Sequence, residues 1–279
     1  MEQITSLQNP RVKSVLALME KPRERRRSGL FVVEGAREAN LAVQGGYSLQ
    51  TLFVCREIWG ESRPLPQAVQ RFEMSPAVFA KLAYRDGSDG LLAVAKQKEL
   101  LPENLQLPQN PFIIVLEAVE KPGNLGAILR TADAAGVNAV IVCDPQCDVF
   151  NPNVVRSSVG CLFSCQVACC TSGEALDFLQ KRKIKTLAAA LQSATWYHEV
   201  DMRGACAVVM GAEADGLTDF WRRSAAAQVK IPMRGAIDSL NVSVATAVLT
   251  FEAMRQRGFG DVGKPRQATA GDESLSAAI

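Results

Sequence analysis

A single histidine, His198, occurs in the 279 residues, and that scarcity all but excludes a Ser/His/Asp triad or a histidine-based metal centre. Lying beside Trp196 and Tyr197, the lone ring reads as a loop or surface residue. Long apolar runs are also missing. None approaches the ~20 residues needed to cross a bilayer, and the N-terminus lacks the basic-then-apolar order of a signal peptide. A cytoplasmic protein is therefore expected. Charge of one sign is not in excess either: 31 basic residues stand against 29 acidic ones, net +2. Any affinity for nucleic acid must then come from local patches.

The eight cysteines lack the spacing of a metal site. Several fall in apolar contexts, such as Cys55 after Val54 and Cys143 after Val142, where reduced thiols behave as small hydrophobes. Cys161, Cys165 and Cys169, with Cys170 adjacent, invite a zinc reading, yet the second ligand pair of a structural zinc site is absent. Core packing without metal is expected. A G-x-G-x-x-G fingerprint is missing too: neither Gly123-Asn124-Leu125-Gly126 nor the stretch from Gly211 to Gly216 has it, which argues against a dinucleotide site.

What is present suits two domains of ordinary size. Asn9-Pro10 is a helix start, with Val12, Val15, Leu16, Leu18 and Met19 as the apolar face. A basic run follows. Up to Leu30, seven basic residues face three acidic ones, so Arg23, Arg25, Arg26 and Arg27 read equally as a solvated turn or as phosphate contacts. Residues 30–97 alternate between strand and helix: strands at 30–33, 52–55 and 91–95, helices at 36–44, 66–71 and 76–82. That pattern implies an α/β sandwich. Residues 99–110, rich in proline, read as a linker.

Beyond it, strands are expected at 112–116, 139–143, 186–190, 206–210 and 228–231, with helices between them. Asn124 is placed to cap the helix that carries Arg130. The outcome is a mostly parallel sheet with ligands gathered at the carboxyl ends of its strands. In residues 231–257 a polar turn with Arg234, Gly235, Asp238, Ser239 and Asn241 runs into a long helix from Val242. A helix start of that kind suits an anionic or oxygen-rich ligand, though on this segment alone a capped core helix is the favoured reading. Residues 261–279, rich in Gly, Ala and Ser, read as a disordered tail.

Three stretches carry more specific information. Asn124-Leu-Gly-Ala-Ile-Leu-Arg130, Gly211-Ala-Glu213-Ala-Asp-Gly216 and Ser239-Leu240-Asn241-Val-Ser243 resemble, in order, the three motifs of the SpoU (TrmH-like) RNA ribose 2'-O-methyltransferases of the SPOUT superfamily. Ala214 is one departure, where many members have glycine. The resemblance implies a C-terminal α/β knot over 111–260, a trefoil that breaks the rule against threaded chains. Residues 1–98 resemble the substrate-binding domain often fused ahead of such enzymes, similar to the ribosomal protein L30e/L7Ae RNA-binding fold.

S-adenosylmethionine would be the cofactor, its adenosine touching backbone around Leu187, Ala188, Ala189, Gly211, Ile231 and Leu240, with Glu213, Gly216 and Ser243 also in the site. The catalytic group would be Asn124, Arg130, Glu213 and Asn241. Arg130 would clamp the target phosphate and steady oxyanion charge, a guanidinium being a poor base at neutral pH. Glu213 and Asn241 would orient Arg130 and the ribose. Arg23, Arg25, Arg26, Arg27 and Arg37 would contact RNA, more in keeping with rRNA than tRNA, and a homodimer is implied. A non-catalytic RNA-binding protein and a base methyltransferase stay open as alternatives. The intact polar motif residues count against the first, and Ser239-Leu240-Asn241 against the second.

Overall fold

The computed structural model describes residues 1–259 apart from Ser62, Arg85, Asp86, Glu213 and Ala214. Glu213 and the expected tail at 261–279 thus lie outside the described residues.

The N-terminal unit comprises β1 (Glu2–Ile4), α1 (Pro10–Glu20), α2 (Pro22–Ser28), β2 (Leu30–Glu34), α3 (Ala36–Gln44), β3 (Leu49–Val54), α4 (Arg56–Trp59), β4 (Gln70–Met74), α5 (Pro76–Leu82) and β5 (Leu91–Lys96). Its strands lie in the order β1-β4-β3-β5-β2. The first three are mutually parallel, and β5 runs antiparallel to both β3 and β2. Side chains alternate across the sheet with the two-residue period of a strand. Val32, Phe53, Leu92 and Val94 face α1 and α5, while Phe31, Val33, Leu52 and Ala93 face the opposite way. α1 begins as its sequence indicates: the Asn9 side chain accepts from the Arg11 N–H at 2.9 Å, and Pro10 takes the first helical position.

Two expectations fail here. Residues 66–71 are not a helix; Phe72 and Met74 alternate inward on β4, which is paired on both sides, so sheet pairing wins over local spacing. The basic run is not a solvated turn but the helix α2, closed by Gly29 at φ 65°.

The C-terminal unit comprises β6 (Phe112–Glu117), α6 (Pro122–Ala134), β7 (Ala139–Cys143), α7 (Pro152–Ser157), α8 (Cys161–Ser164), β8 (Val167–Cys170), α9 (Ser172–Lys181), β9 (Lys185–Ala189), β10 (Cys206–Met210), α10 (Asp219–Ser224), β11 (Ala227–Val229) and α11 (Val242–Gln256). All six strands are parallel, in the order β11-β9-β10-β6-β7-β8. From β6 the chain winds outward through β7 and β8, crosses to β9, and returns with β10 between β9 and β6. The winding reverses between β6 and β10, so a crevice opens at their carboxyl ends. After β11, on the far edge, the chain doubles back across those ends and lays α11 against α6. This return crossing is the course that the expected knot requires.

The two units share one core. Phe31 and Tyr47 meet Phe150 and Phe163, with ring centroids 4.7 to 6.3 Å apart. Burial pushes the Tyr47 hydroxyl up to about 12. α3 and α8 approach closely because both contact points are glycines: a Cβ on Gly45 would lie 2.3 Å from the Phe163 carbonyl oxygen, and one on Gly160 2.6 Å from Leu41. The segment between the units contains one short 3₁₀ turn, Pro102–Asn104. Its Leu100 carbonyl accepts from the Cys169 N–H at 2.6 Å, and the Gln106 N–H donates to the Gln166 side chain at 2.7 Å, so it is docked rather than loose.

Candidate active site

Four loops border the crevice. The one after β10 is held shut by its glycines: a Cβ on Gly211 would fall 2.1 Å from the Gly216 carbonyl carbon, and Gly216 sits at φ 66°. The Gly216 N–H closes the turn on the Ala212 carbonyl at 3.0 Å. β6 then grips this loop. Glu117, at the end of that strand, is buried, and its carboxylate accepts from the Thr218 N–H at 2.8 Å and the Thr218 hydroxyl at 2.6 Å. The sequence gives a single clue to Glu117, a carboxylate that ends an apolar strand. Gly211→Ala, with backbone rather than a flexible side chain in the way, should weaken S-adenosylmethionine binding at least about tenfold in calorimetry, the equivalent of ~1.4 kcal/mol.

The first and third motifs meet directly. Asn241 caps α11: its side-chain oxygen accepts from the Ser243 N–H at 2.9 Å and the Ser243 hydroxyl at 2.7 Å, and its amide donates to the Asn124 side chain at 3.2 Å. Ser243 therefore serves Asn241. Asn124 is not the cap of α6, as expected from sequence. Lys121 holds that position without a side-chain bond and Pro122 starts the helix, leaving Asn124 in the first turn, free to face α11.

Arg130 is placed differently. It lies six residues along α6, about 120° round from Asn124, is exposed, and makes no hydrogen bond or ion pair with another described residue. Its neighbour is Cys161, whose thiol is raised chiefly by burial and by Asp133 against the opposing charges of Arg37 and Arg130. One chain thus brings Asn124, Asn241 and Ser243 together but sets Arg130 on another face.

Among the expected cofactor residues, Ala189, Ile231 and Leu240 are half-exposed, whereas Leu187 and Ala188 are wholly buried inside β9 between β10 and β11. Their side chains point into the cores, so it is backbone that these two positions would offer an adenosine. A correction concerns Arg25. It is buried, with its Nε 2.6 Å from Asp148 and its Nη1 2.7 Å from the Leu18 carbonyl, so it joins the two units and cannot reach RNA. Arg27 pairs with Glu24, while Arg23, Arg26 and Arg37 are exposed. Arg26 lines a cleft of about 820 Å³ with Lys98, Glu120, Pro122 and Phe150, next to the loop of the first motif. Cys161, Cys165 and Cys169 pack partly buried against the core, and among the described residues no cluster of three potential metal ligands occurs.

Residues 111–251 match the SpoU rRNA methylase family. The chain belongs to that family. In this SpoU methylase, residues 9–93 also match the MRM3-like substrate binding domain. It is 30% identical to a 23S rRNA (uridine(2479)-2'-O)-methyltransferase of Streptomyces viridochromogenes, covering 91% of this chain and 92% of that protein. Among solved structures, it resembles an RNA 2'-O ribose methyltransferase at 38% identity and TM-score 0.78, covering 91% of this chain and 99% of the other. An AdoMet-bound rRNA methyltransferase from Sinorhizobium meliloti aligns at 27% identity and TM-score 0.82, over 91% and 97% of the two chains. S-adenosylmethionine is the methyl donor of this SpoU methylase. Its site fits that group: small or apolar residues, Ala189, Gly211, Ile231 and Leu240, line the strand ends, and a Cβ at Gly211 would fill the loop's interior.

Proposed function

We propose that this chain transfers a methyl group to a ribose 2'-hydroxyl of 23S rRNA, working as a cytoplasmic homodimer. The Asn241–Asn124 bond supports this reading most directly, because it joins the first and third motifs at the crevice that the sheet topology creates. Bound S-adenosylmethionine supplies a methyl already activated by its sulfonium charge, so the protein has mainly to align the nucleophile and handle one proton. Asn241, fixed by Ser243 and Asn124, orients the ribose. Arg130 holds the target phosphate and steadies the oxygen as it loses its proton.

Because Arg130 faces away from its own chain's asparagine pair, the reading favours a site completed across a subunit contact. Val244 and Phe251, one heptad apart on α11 and 49% and 45% exposed, offer an apolar surface for that contact. Sedimentation should give a dimer at micromolar concentration; a monomer there would remove this part. The reaction is tested by transfer of labelled methyl from S-adenosylmethionine to total RNA from a strain lacking the protein. Label in one alkali-resistant dinucleotide of the 23S fraction is expected. Label only in tRNA, or in alkali-labile positions, would overturn the assignment.

A further inference from the structure

We propose that Tyr84 and Arg156 form a stacking platform for an unpaired nucleotide of the RNA, on a strand path that continues past Arg37 towards Arg130. The inference rests on the RNA substrate proposed above, and neither platform residue lies in any of the three motifs. The Arg156 guanidinium lies over the Tyr84 ring, 5.4 Å from its centroid. The pair bridges the seam between the units, since Tyr84 follows α5 and Arg156 sits on α7. Tyr84 is 44% exposed and Arg156 is exposed too. An exposed cation–π contact adds little to stability, so folding alone gives small reason to keep an aromatic ring in water here.

The surroundings point to a polyanion. The Tyr84 N–H donates to Glu34 at 3.0 Å, which pins the ring beside the start of α3, and Arg37 lies in the first turn of that helix. Arg37 and Arg130 in turn flank Cys161. Elsewhere arginines such as Arg203 and Arg255 are held by carboxylates. Arg37, Arg130 and Arg156 form no hydrogen bond or ion pair with another described residue. The acids nearby are engaged, Glu34 by the Tyr84 N–H and Asp133 by the Ser164 hydroxyl at 2.7 Å. Three guanidinium groups without a carboxylate partner among the described residues, and a ring along one seam, match a single strand, with phosphates on the cations and a base on the ring. A paired stretch would not use the ring, because its bases are stacked on one another.

Fluorescence anisotropy of the full chain tests this, with a labelled oligouridine about 12 nucleotides long and an abasic strand of equal charge. The unaltered protein should prefer the strand with bases. Tyr84→Ala should lose that preference and bind the oligouridine about fivefold or more weakly, while Tyr84→Phe should keep it. Arg37→Ala should weaken both strands alike and lower the slope of log affinity on log salt by about 0.7. If Tyr84→Ala binds both strands as the unaltered protein does, at an unchanged melting temperature, the platform is overturned. Methyl transfer is read separately: its persistence in that case leaves the enzymatic reading intact. The expected binding losses without transfer to any RNA would sink the enzymatic reading and leave the platform standing.

Discussion

Arg130→Ala is expected to lower the rate of methyl transfer by about 10²–10³-fold, the usual cost of removing one donor aimed at developing oxyanion charge. Binding of S-adenosylmethionine should barely change. Arg130 is exposed and lies on a different face of α6 from Asn124, so its loss should leave the cofactor edge of the crevice intact. The proposed role also requires geometry, not charge alone. A guanidinium presents a planar fork to a phosphate, whereas an ammonium is a compact point charge. Arg130→Lys should therefore recover little of the lost rate. Near-full turnover by the lysine variant in single-turnover assays would remove both the clamp and any role as base.

Asp148→Ala should cost more stability than Arg25→Met, although the two residues share one ion pair. Arg25 has 1% of its side chain exposed and Asp148 18%, so the partner left behind differs in its access to water. Without Asp148 a guanidinium stays buried, and its Nη2 already lacks a hydrogen bond. Breaking a buried pair in this way costs about 3–5 kcal/mol. For a chain of this size that lowers the melting temperature by roughly 10 °C. Without Arg25 the carboxylate keeps its bond to the Phe150 N–H at 2.9 Å and can draw in water. The double variant should melt above Asp148→Ala, because it no longer strands a charge. Equal losses in the two single variants would show that the seam is open to solvent.

The parts of the fold most legible from sequence were those whose signals are local. The strands at 112–116, 139–143 and 206–210 are continuous apolar runs because their strands are buried on both faces of the sheet. Asn9-Pro10 and Asn241 announce their helices through a cap that depends on two or three neighbouring residues. β8 escaped notice, as four residues containing Cys169 and Cys170 read as a cysteine cluster rather than a strand. Arg25 was misplaced because its neighbours in sequence say nothing of Asp148, its partner 123 positions away. The same limit hid Glu117, whose task lies in a bond to Thr218, 101 positions on. Asn124 and Asn241 were recognised by their motifs, yet which way each side chain points depends on how α6 and α11 pack.

The bond between Asn124 and Asn241 spans 117 positions of sequence, and it bears on the order in which a newly made chain becomes competent. Contacts so far apart form late, because the loop between them must close first. The first motif leaves the ribosome well before α11 is synthesised, and domains fold from the N-terminus as they emerge. Until α11 has docked, Asn124 lacks its bond to Asn241 and the loop after β11 has no fixed end. A nascent chain therefore carries its RNA-facing surface before it carries a finished active site.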